Sequence, residues 1–387
     1  MHTIIVQEAF STCNDKSSMC FYVLKCIHMT SGKIITGLTK EELEHDLLEL
    51  GEPKYRASQV IEWVYNQRVT NFRDMRNIPE GLREKLSEIY KITDLTPVQD
   101  SHSNDTTKKY LYQLQDGRYI ESVIIPASTN VNGNRSSRQT LCVSSQVGCA
   151  YGCKFCASGL DGFTRNLKTS EITGQLLAVE EESKKKINNV VFMGMGEPLA
   201  NLKNLMHAIK IINADWGLGI GARHITVSTS GLAPEIRQIA DQPLQIRLAV
   251  SLHGASDYVR EKIMPINKKY PINDLIESLQ YYNSKKKHKV TFEYILIQGI
   301  NDSEDQAKSL AKIASSLRAK INLIPYNKVE GLHWERPSEI TQKKFLNILI
   351  KNRIQATLRK EKGHDIEAAC GQLRLKKERS ELAKTVI

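Results

Sequence analysis

Four of the eight cysteines of this 387-residue chain fall in one stretch, TLCVSSQVGCAYGCKFCASG, at residues 140–159. Within it Cys149, Cys153 and Cys156 have the spacing C-x3-C-x2-C, with no fourth cysteine close behind. A cubane iron–sulfur cluster takes one thiolate per iron, so three cysteines leave one iron with an open position for a substrate or cofactor. A closed structural zinc site needs a fourth Cys or His nearby. Gly148 and Gly152 let the backbone turn tightly around a bulky cluster, and Phe155 can cover it from water. The short spacing predicts a loop on which three thiolates converge on one point. Zinc, or three core thiols in a reducing compartment, is the alternative that these residues leave open.

Further polar residues stand where strands are expected to end. Gly194-Met195-Gly196-Glu197-Pro198 offers two glycines for close backbone approach and, in Glu197, an acceptor for an amine. Ser228-Thr229-Ser230-Gly231, Ser251-Leu252-His253 and Pro325-Tyr326-Asn327 bring hydroxyl, imidazole and amide groups suited to a ribose or a carboxylate. Far along the chain, Cys370 stands between small residues, as an accessible thiol or a small buried hydrophobe.

Positioning these groups requires alternating strands and helices. Strands are expected at 140–146, 189–194, 223–229, 245–251, 289–296 and 320–325, with helical stretches such as SEITGQLLAVEEESKK, NLKNLMHAIKII and SEDQAKSLAKIASSL between them. Six β/α units predict an α/β fold with a parallel sheet, outer helices and functional loops at the carboxyl ends of the strands. Before them, KKYLYQLQ and YIESVIIP read as a hairpin turning at Asp116-Gly117, and the tract STNVNGNRSSR as a surface loop. Earlier still, Thr39 with Glu42 forms a capping box for TKEELEHDLLELG, followed by YRASQVIEWVYNQ and EGLREKLSEIY. Lys54, Arg56, Trp63, Tyr65 and Arg68 of these helices could meet RNA, although Trp63 at helical spacing from Val60 suits a core equally.

The expected organisation is a poorly ordered extension over 1–36, a helical RNA-binding domain over 37–92, a β-hairpin connector over 93–138, the catalytic domain over 139–373 and a basic tail over 374–387. Cys13, Cys20 and Cys26 match no ligand pattern, and Met29 is a candidate start. Composition is that of a globular protein. The formal net charge of +11 favours a polyanionic partner. No apolar run approaches membrane-spanning length, no signal-peptide pattern opens the chain, and irregular cysteine spacing argues against a disulfide framework, so a cytoplasmic protein is expected.

The motif C-x3-C-x-aromatic-C resembles the signature of radical S-adenosylmethionine enzymes, in which the open iron chelates the methionyl end of the cofactor. GEP at 196–198 resembles that superfamily's amino-group motif. More narrowly, QVGC, MGMGEPLAN (193–201), HITVSTSG, MPINKKYPI (264–272), TFEYILIQGIND, NLIPYN and DIEAACGQL (365–373) resemble the RlmN/Cfr family of radical adenine methyltransferases over about residues 37–373. After Leu373 the chain departs from that pattern, with Arg374-Leu375 in place of small residues.

The resemblance implies a radical S-adenosylmethionine partial (β/α)6 barrel with a small N-terminal helical domain. It also implies a [4Fe-4S] cluster on Cys149, Cys153 and Cys156, and two S-adenosylmethionine molecules per turnover bound by Gly196, Glu197, Ser228, Ser251, Leu252, His253 and Asn327. Cys370 would first be methylated; a deoxyadenosyl radical would then activate that methyl for addition to the adenine ring. Cys142 would release the protein–RNA thioether, leaving a Cys142–Cys370 disulfide, and Glu121 would accept the proton. Pro198 resembles members that act on carbon-2, where carbon-8 resistance enzymes have alanine. The implied partners are 23S ribosomal RNA, transfer RNA and an electron donor such as flavodoxin, with no membrane and a monomeric enzyme. A Cfr-like carbon-8 methyltransferase and a non-catalytic metal-containing RNA-binding protein are the competing readings.

Overall fold

The computed structural model describes residues 32–127, 138–160, 162–329, 331–359, 362–369 and 372. In chain order the first elements are β1 (Lys33–Ile34), α1 (Lys40–Glu49), α2 (Tyr55–Ile61), α3 (Glu80–Ile89) and β2 (Tyr90–Lys91). The capping box forms: Thr39 N–H donates to Glu42 Oε2 at 2.8 Å and Glu42 N–H to Thr39 Oγ1 at 3.3 Å. The extension expected over 1–36 lies outside the described residues up to 31, but its end is built into the fold. β1 pairs parallel with β2, and Ile35 is buried.

Two of the residues offered to RNA are structural instead. Tyr65 is buried with its hydroxyl donating to Thr36 O at 3.2 Å, and Arg68 is ion-paired with Glu180. Trp63 is half-buried, donating Nε1 to Asn77 Oδ1 at 2.5 Å. The helix expected over 55–67 changes character at Glu62, where a π-helical turn runs to Asn66.

The next strands are β3 (Thr96–His102), β4 (Lys108–Gln113), β5 (Tyr119–Pro126), β6 (Gln139–Cys142), β7 (Gln146–Gly148) and β8 (Phe163–Asn166). The barrel follows with α4 (Thr169–Ser183), β9 (Asn189–Phe192), α5 (Leu202–Asn213), β10 (Ile225–Thr229), α6 (Ala233–Asp241), β11 (Arg247–Ser251), α7 (Asp257–Ile263) and α8 (Ile272–Lys285). It ends with β12 (Thr291–Leu296), α9 (Glu304–Ser316), β13 (Lys320–Pro325), α10 (Glu339–Lys351) and β14 (Ala356–Leu358).

One ten-stranded sheet runs β14-β13-β12-β11-β10-β9-β6-β5-β4-β3. From β6 to β14 its neighbours are parallel, one strand more than the six expected. The hairpin strands are part of the same sheet: β3, β4 and β5 extend it antiparallel through the β5–β6 pair. The strand expected over 140–146 is split, because the chain leaves β6 after Cys142 and pairs as β7 with β8. Strands such as NVVF and TFEYIL are rich in the β-branched and aromatic residues that pack a two-sided parallel sheet. The helical domain is fastened to the barrel by Thr173 Oγ1 donating to Thr36 O at 2.5 Å, by a hydrogen bond between His207 Nε2 and Glu42 Oε2 and by the ion pair Lys210–Glu41, both at 3.0 Å. Among the described residues no helix is long and apolar enough to cross a membrane. The tract at 128–137 and the tail from 373 lie outside the described residues.

Candidate active site

The three-cysteine loop is held from two sides. The β7–β8 hairpin brackets it, and Cys149 N–H donates to Gly162 O at 2.8 Å. Gly148 must be glycine: its φ is +71°, and a Cβ there would lie 1.9 Å from the Gly162 carbonyl oxygen. On the other side Lys154, between Cys153 and Cys156, donates its N–H to the carbonyl of Ile263 at the end of α7, at 2.9 Å. All three cysteines line one cavity. Burial pushes the Cys149 thiol up to about 12, and raises Cys153 and Cys156 as well.

The three thiols open on one cavity, with no fourth Cys or His in the loop, and so fit a cubane that takes each thiolate on a different iron.

Beyond β9, Gly196 packs so closely on Gln146 that a Cβ would come within 2.4 Å of the Gln146 Cβ, at a φ of +96°. This tight turn delivers Glu197 into the cavity wall, buried. Its Oε1 accepts from Leu199 N–H at 3.0 Å and its Oε2 from Ser230 N–H at 2.6 Å. Burial raises its pKa even against these hydrogen bonds.

After β11, His253 takes a left-handed backbone with φ +55°. Its Nδ1 accepts the N–H of Ile295 at 3.0 Å, so the neutral ring carries its proton on Nε2. Burial, and then the charge of Arg260, hold its pKa down at about 3. The ring meets Phe155 of the cysteine loop edge-on at 4.6 Å between centroids.

The cavity thus brings together Cys149, Cys153, Cys156, Gly196, Glu197, Ser228, Ser251 and His253. Leu252 is buried behind it, donating its N–H to Glu293 O at 3.1 Å. Asn327 does not line it; its Oδ1 accepts from Arg336 Nη2 at 3.0 Å. Glu121 and Cys142 lie on neighbouring strands, where Val123 is paired with Cys142. Glu121 is buried with its Oε1 3.1 Å from Lys109 Nζ. Cys370 lies outside the described residues; Gln372, two positions on in the sequence, donates Nε2 to Lys328 O at 2.9 Å.

Two buried charges escaped the sequence reading. Arg260 is fully enclosed, with Nη1 donating to Asn267 Oδ1 at 2.9 Å and Nη2 to Ser230 O at 2.5 Å. Burial brings its pKa down to about 10. An arginine in a short charged helix gives no sequence sign of burial. Glu293 lines the cavity from β12, and its signal was visible as a lone acid within the otherwise apolar or uncharged run TFEYIL.

The Radical SAM superfamily pattern matches residues 143–311, and that of the ribosomal RNA large subunit methyltransferase N-terminal domain matches residues 35–92. A protein of Akkermansia muciniphila described as "Probable dual-specificity RNA methyltransferase RlmN" is 54% identical over 352 residues, covering 91% of this chain and 98% of that protein. A protein of Opitutus terrae, "Probable dual-specificity RNA methyltransferase RlmN 3", is 52% identical over 361 residues, covering 90% of this chain and 96% of its own. The crystal structure of a radical SAM methyltransferase from Sphaerobacter thermophilus superposes with a TM-score of 0.84 at 41% identity, covering 89% of this chain and all of that one.

Proposed function

The chain belongs to the RlmN family of radical S-adenosylmethionine methyltransferases, which implies a [4Fe-4S] cluster and S-adenosylmethionine, and on that premise we propose that it methylates carbon-2 of adenine in 23S ribosomal RNA and in transfer RNA. The observation that carries the reading is the single cavity onto which the three cysteines, the Gly196–Glu197 turn, Ser228, Ser251 and His253 all open. When bound, the cluster and S-adenosylmethionine supply one-electron chemistry, which an electrophilic ring carbon needs because ordinary methyl-cation transfer does not reach it.

The chain's own residues divide the remaining work. Cys149, Cys153 and Cys156 hold the cluster, and Glu197, fixed by two backbone N–H groups, accepts the methionyl amino group. Ser251, Leu252 and His253, with Ser228, position the rest of the cofactor; Asn327, which does not line the cavity, joins them by family resemblance alone. His253, packed edge-on against Phe155, joins the cysteine loop to the end of β11 at the cavity wall. Cys370 carries the methyl group as S-methylcysteine, Glu121 takes the ring proton, and Cys142 resolves the thioether to RNA. The fastened helical domain and the net charge of +11 suit a polyanionic substrate presenting a flipped or single-stranded adenine. Pro198 after Glu197 favours carbon-2 over carbon-8 by family resemblance. An electron-donor protein of flavodoxin type, a monomeric enzyme and a cytoplasmic location complete the proposal.

The test is mass mapping of methyladenosine isomers in ribosomal and transfer RNA from a deletion strain with and without this gene. Gene-dependent 2-methyladenosine in both RNAs is expected. Appearance of 8-methyladenosine instead, or of neither isomer, overturns the assignment.

A further inference from the structure

The cysteine loop is a thin wall with two faces. Cys153, Phe155 and Cys156 line the cavity, whereas Lys154 between them lines a separate surface groove. The same division recurs after β11, where Met264 opens on the cavity and its neighbour Pro265 on the groove. Lys154 N–H, donating to Ile263 O at 2.9 Å, ties the two segments together. The groove therefore runs directly behind two of the three thiols and shares no lining residue with the cavity in front of them.

Tyr258, Glu261, Lys262 and Lys268 complete the groove. Lys154, Lys262 and Lys268 are all exposed, and Glu261, the one acid among the lining residues, has its Oε1 3.5 Å from Lys268 Nζ. The groove is thus basic on balance. Tyr258 is 72% exposed, with Lys262 Nζ 3.9 Å from the centre of its ring. An exposed aromatic set among lysines suits a partner that brings acidic side chains around a small apolar contact.

Geometry separates the two polyanions that such a groove could receive. An RNA must deliver its adenine into the cavity, and Glu121 and Cys142 stand on β5 and β6, which β9 and β10 separate from β11 in the sheet. An electron need not enter the cavity. Its donor has only to come close behind the cluster ligands, and complexes of that kind are small, transient and steered by charge.

We propose that this groove docks the electron donor, an acidic one-electron carrier protein that seats its negative rim on Lys154, Lys262 and Lys268 with Tyr258 as the apolar contact. The proposal rests on the reading that Cys149, Cys153 and Cys156 hold a cluster. Docking passes one electron: the carrier is oxidised by one, the cluster is reduced by one, and no bond or proton moves.

The experiment uses flavodoxin as the carrier and compares the cluster-loaded full chain, wild type and Lys262→Glu/Lys268→Glu, under anaerobic conditions. Neither substitution touches the cysteine loop. Equilibrium binding of flavodoxin and the stopped-flow rate at which its hydroquinone reduces the cluster should both fall roughly tenfold or more at low salt. The difference should vanish at about 1 M salt, where screening acts within about 3 Å. Reduction by dithionite, a small reductant that needs no docking surface, and equilibrium binding of transfer RNA should each change by less than about twofold. Unchanged flavodoxin binding overturns the proposal. A fall in transfer RNA affinity by the same factor overturns it too, and gives the groove to RNA. An equal loss of the dithionite rate overturns it by placing the damage in the cluster site. If the double variant does not load its cluster, Tyr258→Ala decides: flavodoxin affinity equal to that of wild type overturns the docking surface, and a several-fold loss at an unchanged dithionite rate supports it. A wild-type chain that holds no reducible cluster overturns the cluster reading itself, a result distinct from all of these.

Discussion

The backbone N–H of Ser230 donates to the carboxylate of Glu197 at 2.6 Å while the carbonyl of the same residue accepts from Arg260 at 2.5 Å. A single peptide turn at the end of β10 therefore joins a fully buried cation to the acid that faces the cysteine loop. Arg260 fixes the turn, and the turn fixes Glu197. A buried guanidinium is expensive to desolvate, so its retention here implies a role in holding this wall.

Glu197→Gln tests the acid. Gln keeps one carbonyl oxygen, so one of the two N–H groups from Leu199 and Ser230 would face an amide NH2 instead of an acceptor. S-adenosylmethionine affinity should fall roughly tenfold or more, with the iron content of the reconstituted protein unchanged. Wild-type affinity, measured by equilibrium dialysis, would move the amino-group acceptor elsewhere.

Arg260→Ala tests the support behind it. The change strips a donor from both Asn267 Oδ1 and Ser230 O inside the core, at about 1–3 kcal/mol for each group left unsatisfied. The expected readouts are a thermal midpoint lowered by several degrees and a weaker S-adenosylmethionine complex. A protein as stable as wild type that binds normally would show that Glu197 is oriented without this link.

Much of this site could be read from the chain because its groups sit in local, ordered motifs. The cysteine spacing, the Gly196–Glu197 turn and the Ser-Leu-His strand end each occupy a few consecutive residues, and parallel α/β topology sends such strand ends to one face. What could not be read depends on contacts between distant segments. Arg260 and Ser230 are separated by 30 positions, and Arg68 meets Glu180 across 112. Burial of Arg260 and Glu293 is set by what packs on them, which periodicity does not reveal. The antiparallel extension by β3 was missed for a related reason. Thr96–His102 is mostly exposed and polar, without the apolar alternation that marks a half-buried strand.

His253 makes a prediction in pH. The folded imidazole stays neutral down to about 3, against an ordinary value of 6.5. Below 6.5 the unfolded chain takes a proton that the folded chain refuses, so this residue's contribution is complete above 6.5 and is lost as pH falls toward 3. The slope is about 1.4 kcal/mol per pH unit within that window. Glu197 and Glu293, with raised pKa values, act in the opposite sense, so the measurement is a difference between proteins. His253→Asn retains an acceptor for Ile295 N–H and tolerates the left-handed backbone. Its urea-unfolding midpoint should drop less than that of wild type between pH 7.5 and pH 5. Equal drops would mean that the folded protein protonates His253.

Cys142 separates cluster assembly from release of the product. It is buried in β6, paired in register with Val123 on one side and Val191 on the other, and it stands outside the group of thiols lining the cavity. Cys142→Ala should therefore load iron and bind S-adenosylmethionine as wild type does, since neither Glu197 nor the three loop cysteines are touched. If Cys142 resolves the thioether, the variant should stall with RNA covalently attached, visible as a slower band on denaturing gels that nuclease treatment collapses. Cys149→Ala, which removes a cluster ligand, should give no such band, because the step that joins protein to RNA is never reached. Free methylated RNA released by Cys142→Ala at the wild-type rate would assign the resolving role to another group.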